Sequence, residues 1–90
     1  MAARIEYKAS VARDLRKLGQ GVAVRVLRTV ERMLASEGHK GEALSGEFAG
    51  LYKLRVGNPR VIYARTEEGF LVLRIGHREE AYGKGRAELG

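Results

Sequence analysis

Residues 51–75 read LYKLRVGNPRVIYARTEEGFLVLRI, and the spacing within this stretch decides the fold. Tyr52, Leu54 and Val56 alternate with Lys53 and Arg55, the period-two pattern of a strand with one buried face. Gly57-Asn58-Pro59 is turn chemistry. Arg60 to Arg65, rich in β-branched and aromatic residues, is a second strand. Glu67-Glu68-Gly69 turns the chain again, and Phe70 to Ile75 is a third strand. Three strands joined by short turns predict an antiparallel meander.

Upstream, the period changes. Arg4 to Lys8 alternates, with Ile5 and Tyr7 on one side, and reads as a short strand. Ser10 suits a helix N-cap, and Val11, Leu15 and Leu18 follow at helical spacing. Gly19-Gln20-Gly21 breaks this helix. A longer one begins near Val22, with Ala23, Val26, Leu27, Val30, Met33 and Leu34 as its apolar stripe and Arg25, Arg28 and Arg32 on the other side. Gly38 is placed to end it. His39 to Gly50 reads as a loop, with Leu44 and Phe48 as anchors toward the core, and residues 77–90 as a short helix or loose end.

The expected order is strand, helix, helix, strand, strand, strand. This is a small α+β domain in which two N-terminal helices pack on an antiparallel sheet, and it occupies the whole of residues 1–90. No repeat or domain boundary interrupts it.

Composition narrows the function. The 90 residues hold no cysteine, which removes disulfides and thiolate metal sites. There is no signal-peptide pattern and no apolar run near the ~18–20 residues of a membrane span, so the expected location is the cytoplasm, without membrane partners. Seventeen Lys and Arg against eleven Asp and Glu give a net charge of +6. Such a balance favours a polyanion or an acidic protein as partner.

The positions of these cations carry more weight than their number. If Tyr52, Leu54 and Val56 face the helices, Lys53 and Arg55 leave the opposite face together, about 7 Å apart. Arg60 begins the adjacent strand, and Arg74 and Arg78 lie on or just past the last one. Two cations on a sheet face are ordinarily a solvated surface. Several cations converging with no interleaved Asp or Glu repel one another unless an anion neutralises them, and that arrangement reads as an RNA-binding cleft.

The residues offer little other chemistry. His39 and His77 are far apart and form no metal-ligand spacing, so no metal and no cofactor is expected. Ser10, Ser36 and Ser45 lack the context of a serine nucleophile. Metal-free phosphoryl transfer remains, because RNA carries its own nucleophile in the 2′-hydroxyl, and Arg and Lys can stabilise the charge that develops. Lys53, crowded by cations, is a candidate base. Tyr82 can stack on a base or fold onto the core. His77 is a proton donor or a surface residue.

Over essentially the whole chain these features resemble the RelE toxins of the RelE/ParE superfamily of toxin–antitoxin systems. The matching segments are Leu51 to Arg55, Arg60 to Tyr63, Leu73 to Glu79 and Tyr82. Tyr7 to Gly19 is similar to the family's first strand and helix, and Leu44-Ser45-Gly46 to its Leu-x-Gly element. The resemblance implies a metal-independent endoribonuclease that cuts mRNA in the ribosomal A site, leaves a 2′,3′-cyclic phosphate, and inhibits translation. It further implies a RelB-like antitoxin partner, with operator DNA reached only through the toxin–antitoxin complex. By the same resemblance Lys53 is a catalytic lysine, Arg60 stabilises the transition state, Arg78 contacts the scissile phosphate, and Tyr82 stacks on the substrate base. His77 and Arg74 are accessory residues. Arg55 stands where several members have a second lysine acting as base. A guanidinium stays protonated, so that role passes to Lys53 or His77.

Two other readings share these observations. ParE-like toxins have the same fold, inhibit DNA gyrase and cleave nothing. A non-enzymatic RNA-binding module would present several exposed aromatic residues on its sheet, whereas only four Tyr and two Phe are present, most of them placed for the core.

Overall fold

The computed structural model describes residues 4–36 and 41–77. Strand β1 is Arg4–Tyr7, helix α1 Val11–Leu18 and helix α2 Gln20–Glu31, whose last turn widens into a π turn at Arg32–Ser36. Strand β2 is Glu42–Ala43, β3 Leu51–Arg55, β4 Pro59–Arg65 and β5 Gly69–His77. The expected meander is present as β3, β4 and β5, antiparallel throughout.

Two features of the sheet differ from expectation. It is mixed, because β1 runs parallel to β5, and the strand order is β1-β5-β4-β3-β2. The helical hairpin carries the chain over one face to the far edge of the sheet at β2, and the meander then brings β5 back beside β1, the long connection that a parallel pair requires. The segment read as a loop also contributes a two-residue edge strand, with Glu42 opposite Lys53 and Ala43 opposite Tyr52.

Helix boundaries shift for identifiable reasons. Gly19 alone makes the joint between the helices, with φ 89°, so α2 begins at once at Gln20. Ser10 occupies the N-cap position but makes no side-chain cap bond; its φ of −66° and ψ of −15° are helical, and its carbonyl receives the Arg13 and Asp14 N–H groups. Pro59, read as a turn residue, opens β4, a position where its missing N–H is tolerated. Gly38 and the tail from residue 78 lie outside the described residues.

The core forms between one sheet face and the helical stripe. Val11, Val26, Val30 and Leu34 meet Leu54, Val56, Val61, Tyr63, Phe70, Val72 and Ile75. Each large aliphatic side chain so removed from water contributes ~1.5–3 kcal/mol, offset largely by chain entropy. Arg25, Arg28 and Arg32 are exposed, as the stripe requires, and Leu44 and Phe48 are half-buried. Tyr63 is fully buried, stacks on Tyr52 at 5.6 Å and meets Phe70 edge-on at 5.5 Å. Its hydroxyl accepts the Gly41 N–H at 2.8 Å, which ties the chain entering β2 to the centre of the sheet.

Strand β5 carries one more residue than β4 across from it. Val61 pairs with Ile75 and Ile62 with Arg74, but Tyr63 pairs with Val72, so Leu73 is a bulge.

Candidate functional site

Strand alternation sends Lys53, Arg55, Arg60, Ile62, Arg74 and Gly76 to the face away from the helices. Register arranges them in two rows. Glu42, Lys53, Ile62 and Arg74 lie across β2, β3, β4 and β5. Arg55, Arg60 and Gly76 form the second row. Directly opposed residues of neighbouring strands have Cβ atoms ~4.5–5.5 Å apart, so Arg55 and Arg60 oppose like charges at close range.

The cations are not equivalent. Arg55 is exposed; Arg60 is half-buried, with Nη1 3.5 Å from the Asn58 carbonyl oxygen. The Lys53 side chain is 21% exposed and that of Arg74 16%. Ile62, between them, is completely buried although it lies on the face opposite the helices. Long cationic side chains can cover apolar surface with their stems while keeping their heads wet, and Ile62 occupies the place where two such stems flank it.

The sequence-based expectation that no acid interrupts the cluster is incorrect. Glu42 Oε1 lies 3.8 Å from Lys53 Nζ, across the β2–β3 pair. The Glu42 side chain is 76% exposed, so this is a solvated pair contributing little to stability. Its consequence is chemical: a carboxylate stands beside the face that carries Lys53, Arg55, Arg60 and Arg74. Sequence reasoning missed it because a two-residue strand has no periodicity to read.

Asp14 was missed as well. It is the one charged residue that is buried among the described residues. Its Oδ2 accepts the Ile75 N–H at 3.0 Å and lies 3.4 Å from Arg74 Nε. Arg74 therefore belongs to the cation face by register and is also engaged by an acid from α1. A signal for Asp14 was available: positions 11, 14, 15 and 18 make one helical stripe, and a carboxylate within an apolar stripe needs a partner.

The structure thus brings Lys53, Arg55, Arg60 and Arg74 onto one face. The His77 backbone ends β5 opposite Pro59. Arg78 and Tyr82 fall outside the described residues. Among the described residues no group of three or more His, Asp or Glu is positioned to hold a metal ion.

Comparison with known proteins places this geometry. Residues 5–82 match the family described as ParE toxin of type II toxin–antitoxin system, parDE. None of the curated proteins matches. Among solved structures, a RelBE toxin–antitoxin complex from Mycobacterium tuberculosis is 27% identical, with a TM-score of 0.78, covering 87% of this chain and all of that one. A mutant form of E. coli toxin RelE in the free state is 22% identical, with a TM-score of 0.73 and full coverage of both chains. The toxin of an archaeal RelE–RelB complex from Pyrococcus horikoshii is 21% identical, with a TM-score of 0.65, over 90% of this chain and all of that one. With residues 5–82 matching the family and the RelE fold shared over most of the chain, the chain belongs to the ParE toxin family of type II toxin–antitoxin systems, as a RelE-like member of the RelE/ParE superfamily.

Proposed function

We propose that this toxin is a metal-independent endoribonuclease that cuts mRNA, in the ribosomal A site, and so inhibits translation in the cytoplasm. The observation that carries the reading is the cross-strand opposition of Arg55 and Arg60 beside Lys53 on the open sheet face. Opposed guanidinium groups are unfavourable alone and favourable around a phosphodiester. In the reaction the 2′-oxygen attacks phosphorus and loses its proton to a base. The bond to the 5′-oxygen breaks, and that oxygen takes a proton from an acid, leaving a 2′,3′-cyclic phosphate and a 5′-hydroxyl. Arg55 and Arg60 stabilise the charge on the pentacoordinate phosphorus. Lys53 orients the phosphate, and the Glu42 carboxylate, 3.8 Å from that lysine, is a proton acceptor beside it. This makes Glu42 a third candidate for the base, with Lys53 and His77. By family resemblance Arg78 contacts the scissile phosphate, Tyr82 stacks on the adjacent base, and His77 and Arg74 assist.

The expected partner is a RelB-like antitoxin, as the RelBE and RelE–RelB complexes among the related structures support. Operator DNA would be reached only through that complex. Purified toxin added to translating ribosomes should create new 5′ ends within messages, and Lys53→Ala combined with Arg55→Ala should abolish them while antitoxin binding persists. Uncut messages with the wild-type toxin would refute the reading. A second reading, inhibition of DNA gyrase, is favoured by the ParE description of the matched family. A supercoiling assay on the same preparation decides between the two.

A further inference from the structure

Strand β1 pairs with β5 only as far as Val72, whose carbonyl receives the Lys8 N–H at 2.9 Å. Beyond that point β1 supplies no further residue to the edge of β5. Asp14 takes over there from α1: Oδ2 accepts the Ile75 N–H, the amide that a continuing β1 would otherwise have to satisfy. The same oxygen lies 3.4 Å from Arg74 Nε. One carboxylate oxygen thus hydrogen-bonds one residue and stands at ion-pair distance from the residue before it, and both come immediately after the bulge at Leu73.

The bulge determines which way this end of the strand faces. Alternation from the buried Val72 would send residue 74 toward the helices and residue 75 away. The extra residue reverses this, so Ile75 enters the core and Arg74 joins the row of Lys53 and Ile62. It also sets Gly76 opposite Arg60, and thereby the register in which β5 reaches its end at His77. A buried ion pair seldom adds net stability over apolar packing, and is best attested as a device that fixes registry. Asp14 is 6% exposed, and the cleavage steps proposed above do not use it.

We infer that Asp14 is a positioning residue: by holding the Ile75 amide and the Arg74 guanidinium it fixes the bulged register of β5, and so aligns the end of that strand with the Lys53, Arg55 and Arg60 face. The catalytic part of this inference rests on the RNA-cleavage reading; the register part does not.

Two variants separate the effects. Asp14→Asn keeps an oxygen acceptor for Ile75, whereas Asp14→Leu removes acceptor and charge but still fills the site. Amide hydrogen exchange and single-turnover cleavage of a short RNA are measured on the same purified proteins. For Asp14→Leu, Ile75 exchange should accelerate at least about 10-fold while Val61 and Tyr63 stay protected, with kcat falling about 10-fold and KM changing less than about threefold. Asp14→Asn should restore Ile75 protection and recover most of kcat. Unchanged Ile75 exchange in Asp14→Leu overturns the register assignment. Fast Ile75 exchange with wild-type kcat overturns the catalytic part, as does a loss of protection shared by Val61 and Tyr63. If the wild-type toxin cuts no RNA, the functional reading and the catalytic part fall together, and Ile75 exchange still decides the register.

Discussion

Tyr63→Phe tests whether the centre of the sheet controls the acidic edge of the site. The ring is fully buried and keeps both aromatic neighbours in the variant, so packing changes little. What disappears is the hydroxyl that accepts the Gly41 N–H at 2.8 Å. A donor left unpaired when partly buried costs ~1–3 kcal/mol, and relief from burying a hydroxyl returns some of that. The net expectation is a loss of about 1 kcal/mol, or a Tm lower by ~4–8 °C for a domain of this size. Gly41 immediately precedes Glu42, so β2 should loosen more than the rest of the sheet.

Calorimetry reads the first effect and amide exchange at Gly41 to Ala43 the second. A companion variant adds a check. A Cβ on residue 41 would collide with the Tyr63 hydroxyl and ring, so Gly41→Ala should already break the bond. The double variant should therefore cost clearly less than the sum of the singles. A Tm within about 1 °C of wild type for Tyr63→Phe, together with unchanged exchange at Gly41, would refute the reasoning.

Glu42→Gln should slow RNA cleavage by ~10²-fold or more if the carboxylate takes the 2′-hydroxyl proton, and leave Tm nearly unchanged because its pair with Lys53 is solvated; single-turnover kinetics against a melting curve separates the two. Gly69→Ala places a Cβ against the backbone of Arg4, at the first rung of the parallel β1–β5 pair, and should cost ~1–3 kcal/mol, read as a lower denaturation midpoint with faster exchange along β1. Burial, reinforced by the Glu31 carboxylate, pushes the Tyr7 phenol from 10.0 up to about 12. The unfolded chain then loses this proton first, so stability should fall as pH rises from about 10 to about 12, and Tyr7→Phe should flatten that decline in urea midpoints measured across the range.

The parts of the fold that were legible are those with many residues in one period. Tyr52, Leu54 and Val56 announced the buried face of β3, and with it the direction of Lys53 and Arg55. Val26, Val30 and Leu34 did the same for α2, and all three are buried. The parallel placement of β1 was not legible, because nothing in Arg4–Tyr7 states its neighbour; pairing with β5 is a property of the whole chain path. β2 was hidden by its length and by Glu42 and Ala43 both being exposed. Its loss from the reading carried the Glu42–Lys53 pair with it. The cation cluster was legible in membership for Lys53, Arg55, Arg60 and Arg74, but not in its contacts.

The bulge in β5 shows where a pattern was present and misread. Phe70 to Ile75 is apolar except for Arg74, so it looks like a strand buried on both faces, for which alternation is uninformative. Yet Arg74 itself constrains the pairing. With Phe70 and Val72 on the core face, an unbroken strand would drive its guanidinium in among Val11, Val26 and Val30 and leave Ile75 among cations. Burying that charge without compensation costs far more than interrupting one ladder position. The chain resolves the conflict with one extra residue, which makes Ile75 the residue that presents its amide to the edge left open where β1 ends, and Asp14 answers that amide from α1. The bulge, the buried acid and the position of Arg74 on the open face are therefore one solution to one conflict. A charge at an odd place in an apolar run should be read as a statement about register before it is read as a statement about function.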